Sequence, residues 1–368
     1  MTQRLPPSLT PLDAALAALL RELQPVAPIA LPLAEALGCI AAEMPVLKAY
    51  PPHDVAAADG WALRANDLVG VSSYSPLPLP APPVWVESGD AMPEGTDCVL
   101  DADAVATVGP ISEVLAEGIP GQGVRRAGSD IAAGASVAAP GTKICATDLM
   151  LARAAGVGML SVRRPRLRIV NVGDSRVSAR LIAEHARACG AEIVEIAAGA
   201  RDPASIADVL DASACDLLLL IGGTGVGRED AAISALAVHG NLLAHGIALE
   251  PGRTAATGRL GAVPVIALPG SPDQALATWL TLARPVLDRL SARRQQRAIT
   301  LPLARKIASG VGVAEIALLT EEAGTWQPLA VGALALQSIA RADGWLLVPG
   351  DSEGFAAGQP VDAYRLRE

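Results

Sequence analysis

Leucine recurs at 12, 16, 19, 20 and 23, the three- and four-residue spacing of a helix that buries one face. Just ahead of it, Thr10-Pro11-Leu12-Asp13 has the order of an N-cap, a first-turn proline and an acid. Leu33, Leu37, Ile40 and Met44 repeat the spacing, so a second helix is expected there. After Pro45 the period changes. Residues 48–140 carry short apolar runs such as VWVES and TDCVLDADAV between prolines and glycines, a pattern of short strands and turns. Helical spacing returns in ATDLMLARAAG, residues 146–156. From Arg166 strand and helix patterns alternate: RLRIVNVG, SARLIAEHARACG, EIVEIA, PASIADVLDASAC, DLLLLIGG and VPVIALPG, followed by a helix opening at Ser271-Pro272-Asp273.

Alternation of this kind predicts a mostly parallel, doubly wound α/β sheet. The charged run SARRQQR, 291–297, marks its end, and VAEIALL, GWLLVPG and QPVDAYRL read as strands of a small β domain. The expected division is a helical segment, 1–47 with 141–165, interrupted by a β insertion, 48–140, then the α/β domain, 166–298, and a C-terminal β domain, 299–368.

Composition narrows what such a chain could bind. Half of its 368 residues are hydrophobic (51%), yet aromatics are 2%, beside 35 glycines and 29 prolines. Ala, Leu, Val and Ile must therefore fill the core, and successive base-stacking aromatics are missing. A net charge of −9 with dispersed Lys and Arg gives no footprint for nucleic acid or anionic membrane. Five cysteines without a CxxC pair argue against a disulfide scaffold or zinc knuckle, and no apolar stretch reaches the length of a membrane span. A cytoplasmic protein is expected.

In open α/β sheets ligands bind beyond the carboxyl ends of the strands. Three loops belong there: Asn171 to Ser175, Gly222 to Asp230, and Leu268 to Pro272. The second carries Gly222, Gly223, Thr224, Gly225 and Gly227 between a buried strand and a helix, so its backbone can approach a phosphate closely. It lacks the Gly-Lys-Ser/Thr of a Walker A loop and the spacing of a dinucleotide fingerprint, and a ligand-free glycine turn is the competing reading. Asp230 beside such a cradle is a candidate Mg²⁺ ligand, as are Asp174 and Asp202, for both of which helix capping is the alternative. Arg253 and Arg259 are candidate anion contacts. The Asp59-Gly60 and Met92 to Asp97 segments are turns on composition alone.

In combination, PPHDVAAADGWAL, MPEGTDCVL, GVRRAGSDIAAG, RIVNVGD, LLLIGGTGVGRED, ALEPGRTAATGR, ALPGSP and IARADGWLLVP resemble the molybdopterin molybdenumtransferase family, which includes the bacterial molybdenum-insertion enzyme and the gephyrin E domain. The resemblance spans nearly the whole chain. It implies an elongated homodimer in which a pterin-binding α/β domain is followed by a C-terminal β barrel. It implies insertion of molybdate into adenylylated molybdopterin with release of AMP in a Mg²⁺-dependent step, downstream of a molybdopterin adenylyltransferase. Carried over by motif, the catalytic positions are Asp59, Asp202 and Asp230, and Ser88, Pro269 and Pro272 join the substrate-binding set. The active site would lie between the α/β domain and the β insertion of the partner subunit.

Two positions depart from the family pattern. Ser175 stands where Thr-Gly-Asp-Glu-Leu would supply a carboxylate, and Glu250 replaces the first Lys of Lys-Pro-Gly-Lys, putting an acid where an oxyanion is expected. A non-catalytic molybdopterin-binding or cofactor-chaperone protein, and a Mg²⁺-dependent nucleotide pyrophosphate hydrolase, therefore stand as alternatives.

Overall fold

A computed structural model describes residues 3–6, 8–173, 175–198 and 202–366. The chain divides into two compact units, one of Met1–Glu43, Pro140–Ile144 and Ser161–Glu368, the other of Met44–Ala139 and Cys145–Leu160.

The centre of the first unit is a six-stranded sheet. In chain order its elements are β1 (Arg166–Val172), α1 (Arg176–Ala188), β2 (Glu192–Ala198), α2 (Pro203–Val209), β3 (Leu217–Ile221), α3 (Ala232–His239), β4 (Asn241–His245), β5 (Ala256–Leu260), β6 (Val263–Leu268) and α4 (Pro272–Thr278). Across the sheet the order is β2-β1-β3-β6-β5-β4. The first four strands are parallel, and β5 and β4 run antiparallel at one edge.

The Leu217-Leu218-Leu219-Leu220-Ile221 run is buried on both faces, which is why it reads as continuous apolar sequence. Leu217, Leu219 and Ile221 pack with Ile182, Ala183 and Ala186 of α1, whereas Leu218 and Leu220 pack with Ile206 of α2 and Ile233 and Leu236 of α3. Helices thus cover both faces. Because β2 and β3 flank β1 on opposite sides, the connections after β1 and β3 diverge and open a crevice at their carboxyl ends.

The N-terminal helix covers Leu12–Leu20 and buries Leu12, Ala15 and Leu19. Thr10 does not cap it. Thr10–Pro11 is instead a short strand parallel to Ile247–Ala248. The second expected helix shrinks to one turn, Leu33–Ala36, because Gly38 turns the chain at φ +80° and Ile40–Ala41 pairs with Val162–Arg163. Here a tertiary strand pairing overrides the helical period.

Ile247–Glu250 leaves the α/β sheet and pairs with Ala314–Glu322. That strand begins the C-terminal sheet, which continues through Gly344–Val348 and Pro360–Arg365 to Ile299–Pro302, over a core of Leu319, Trp326, Leu346, Val348 and Val361.

The second unit is built from antiparallel strands of two to four residues, with Gly60–Leu63 between Val84–Val86 and Cys98–Leu100, and Ile111–Val114 between Leu77–Leu79 and Val105–Val108. Leu63, Leu68, Cys98, Leu100 and Val114 form its larger core. The helix expected near 146–156 spans Ala146–Ala154.

Candidate anion-binding site

Three loops meet at the carboxyl ends of β1, β3 and β6, and Ser175 is where they touch. Gly222 stands at φ +97°, and a Cβ there would lie 2.6 Å from the Val172 carbonyl and 2.7 Å from Ser175 Oγ. A Cβ on Gly270 would lie 2.6 Å from the same hydroxyl. At Gly222 the positive φ and the backbone carbonyl require glycine, whereas at Gly270 a methyl would displace only the Ser175 hydroxyl. Ser178 Oγ donates to the Gly270 carbonyl at 2.6 Å and fixes the third loop to α1. Nearby, the Oδ1 of buried Asn171 and the Oγ of Ser271 have no partner among the described residues. Ser271 occupies the N-cap position of α4 without making a cap bond, and Pro272 is the first helical residue, behind Pro269-Gly270.

The loop from Gly222 to Asp230 holds its carbonyls and leaves its amides. The Gly223 carbonyl accepts from Ala232 N at 3.1 Å and from Gln3 Nε2 at 3.3 Å, and the Gly225 carbonyl accepts from Gln3 Nε2 at 2.7 Å. Among the described residues, the N–H groups of Gly223, Thr224, Gly225 and Val226 donate to nothing. Successive free amides ahead of a helix form an anion-binding concavity. Asp230 folds back over the loop, its Oδ2 accepting from Gly227 N at 2.8 Å. A Cβ on Gly225 or Gly227 would meet that oxygen at 2.7 or 2.9 Å, so these two glycines make room for the carboxylate.

The Glu250 to Thr254 loop reaches the same place through a hydroxyl pair, Thr254 Oγ1 and Thr224 Oγ1 at 3.1 Å. Arg253 is exposed and makes no ion pair among the described residues. Glu250 stands in register with Glu315 and lies against Gly332. Arg259 is not available to an anion: its Nη2 donates to the Leu19 and Arg21 carbonyls at 2.8 and 2.7 Å, closing the end of the N-terminal helix.

The remaining candidates separate. Asp202 is the N-cap of α2, where its carboxylate accepts from Ala204 N, Ser205 N and Ser205 Oγ at 3.1, 3.0 and 2.7 Å. The Ser205 amide, with its hydroxyl, holds this carboxyl below its ordinary range. Asp174 lies outside the described residues. Asp59 and Ser88 come together in the second unit, where Ser88 N donates to Asp59 Oδ1 at 2.7 Å. No three of His, Cys, Asp and Glu cluster as a metal site among the described residues. Sequence reasoning missed Gln3 and Ser178, which carry no local motif, and Thr254, which lies within ALEPGRTAATGR without being singled out there.

The α/β domain of this multidomain chain thus offers a glycine-lined row of amides without acceptors among the described residues and an overhanging carboxylate. Residues 10–156 match the profile "MoeA N-terminal region (domain I and II)", 170–289 "Probable molybdopterin binding domain" and 301–366 "MoeA C-terminal region (domain IV)". The chain belongs to the MoeA family of molybdenum-cofactor biosynthesis proteins. It is 28% identical to molybdopterin molybdenumtransferase 2 of Mycobacterium tuberculosis, over 92% of this chain and 95% of that one. The molybdopterin molybdenumtransferase of Synechococcus elongatus is also 28% identical, over 86% and 89%. The fold is shared with the molybdopterin biosynthesis MoeA protein of Pyrococcus horikosii, at a TM-score of 0.73 and 22% identity, covering 98% and 100% of the two chains.

Proposed function

We propose that this chain inserts molybdate into the dithiolene of adenylylated molybdopterin and releases AMP. The observation that carries the reading is the row of free amides at Gly223, Thr224, Gly225 and Val226 under the Asp230 carboxylate. Such a row suits a pyrophosphate linkage, whose oxygens need hydrogen-bond donors held in place. Arg253, one residue before the Thr254 that touches the loop, is the cation we assign to an incoming oxyanion.

Mg²⁺ binds through one or two carboxylates plus substrate phosphates. Asp230 fits that role, since one oxygen is fixed by Gly227 and Oδ1 has no partner among the described residues. When bound, the ion would neutralise phosphate charge. Asp202 fits less well because its lone pairs serve the α2 cap. Asp59, held by one amide like Asp230, is the acid we assign to the second unit's share of the chemistry. We read the working form as a cytoplasmic homodimer supplied by an adenylyltransferase, consistent with five free cysteines.

The acid at Glu250 favours a second reading, a pterin carrier without turnover. Its Cγ lies against Gly332 and its backbone is in register with Glu315 of the C-terminal sheet, which weighs against that alternative. Reconstitution of a molybdenum enzyme with purified protein, molybdate and adenylylated molybdopterin decides between them. Metal-dependent AMP release supports transfer, whereas calorimetric binding of molybdopterin without AMP at any molybdate concentration supports the carrier. Hydrolysis of nucleotide diphosphates without molybdate would point to the pyrophosphatase.

A further inference from the structure

We propose that Gln3 is a positioning residue of this site: with His245 it holds three successive carbonyls of the glycine loop, so that the loop's amides face the ligand. The proposal rests on the reading of that loop as a diphosphate cradle. In a trans peptide a carbonyl and the following N–H point in opposite directions. The carbonyls of Gly223, Thr224 and Gly225 are all engaged, the first and third by Gln3 Nε2 at 3.3 and 2.7 Å, the second by His245 Nε2 at 3.2 Å. The amides on the far side of those same peptide units belong to Thr224, Gly225 and Val226, the residues that lack acceptors among the described residues.

Gln3 does more than donate. Its Oε1 accepts from Ile233 N at 3.2 Å, satisfying one of the N–H groups that the first turn of α3 leaves unpaired. A carboxamide provides two donors and an acceptor in one plane, and this orientation pairs each of the three contacts correctly. Neither Glu, with no N–H, nor Lys, with no acceptor, can reproduce it. Burial pushes His245 below the ordinary imidazole range, so the ring is neutral near pH 7 and donates through Nε2–H to Thr224.

The segment bearing Gln3 is fixed independently of the loop. Leu5, Pro6 and Leu9 lie against Gly246, Thr10 N donates to the Gly246 carbonyl at 2.8 Å, and Thr10–Pro11 pairs with Ile247–Ala248. Residues 222 positions apart in sequence are thereby part of one site.

The test uses the full chain and its Gln3→Ala and Gln3→Glu variants. Three quantities are read: residue-resolved amide exchange without ligand, calorimetric binding of inorganic pyrophosphate with Mg²⁺, and kcat and KM for adenylylated molybdopterin. Gln3→Ala should speed exchange at Ile233 by about tenfold or more and raise the pyrophosphate Kd by about tenfold, the scale of one or two lost hydrogen bonds. Gln3→Glu keeps an acceptor for Ile233, so exchange there should stay slow while the Kd rises further. In both variants KM should rise with kcat within about twofold.

Unchanged exchange and Kd in both variants would overturn the proposal, as would faster exchange spread evenly over the chain with a matching loss of thermal stability. If the wild type itself ignores pyrophosphate while Gln3→Ala frees Ile233 locally, the diphosphate reading falls and the positioning of the loop by Gln3 stands.

Discussion

The turn at Asp202 and the loop at Asp230 contain the same side chain one strand apart in the same sheet, and they use it differently. At Asp202 three donors from Ala204 and Ser205 converge on the carboxylate and spend it on the start of α2. At Asp230 a single amide, that of Gly227, fixes one oxygen, and glycines at 225 and 227 clear the space around it. The number of local donors thus separates a carboxylate that starts a helix from one with an oxygen still open, as the proposed metal role requires. Asp59 resembles Asp230, being held by the Ser88 amide alone among the described residues.

Substitutions can sharpen or break that contrast. Asp230→Asn keeps the shape and an acceptor for Gly227 but removes the charge, and should lower kcat/KM for AMP release by about 100-fold or more with little change in melting temperature. Equal loss in stability and activity would make Asp230 a loop brace and erase the distinction.

Gly270→Ala should come next. Its new methyl would meet Ser175 Oγ at 2.6 Å, so the rim must shift and KM should rise by about tenfold. Adding Ser175→Ala removes the obstructing atom and should restore most of the loss. Gly222→Ala should not be rescued in this way, because its methyl also meets the Val172 carbonyl.

Asp202→Ala should be the mildest, leaving turnover within about twofold while lowering the melting temperature slightly through the lost cap. The acid limb of stability offers a companion measurement. Ser213, through its hydroxyl and amide, together with Arg168 draws Asp211 down to about 2, and Asp202 is lowered in the same direction. A carboxyl depressed on folding stabilises above its unfolded value of 3.8 and loses that contribution as pH falls towards its folded value. Stability should therefore decline between about pH 4 and 2, and Asp202→Ala with Asp211→Ala should flatten the decline.

Much of the architecture was legible because it is written locally. The Leu217 to Ile221 run, the 3.6-residue period of α1 and the glycines after β3 each announce their element within a dozen residues. Glycines 222, 223, 225 and 227 and Asp230 could be singled out for the same reason, and the structure brings them together. Gln3, His245 and Thr254 could not, because each acts on the loop through a contact that only the tertiary fold creates. The helix expected from Leu33 stops at Ala36 for a related reason, since the spacing beyond it is helical but Ile40–Ala41 is claimed by a sheet. Arg259 had the right charge near the right rim, and three carbonyls elsewhere had already taken it.

The strand at Ile247–Glu250, which joins Thr10–Pro11 on one side and Ala314–Glu322 on the other, makes the order of assembly a property of the site. During synthesis the N-terminal segment has no strand to pair with until Ile247 has emerged, so Gln3 cannot brace the cradle before then. Contacts spanning so much sequence also slow folding, because chain closure must precede their reward. A nascent chain would carry Gln3 without its partners until the glycine loop and the strand at Ile247 had both emerged.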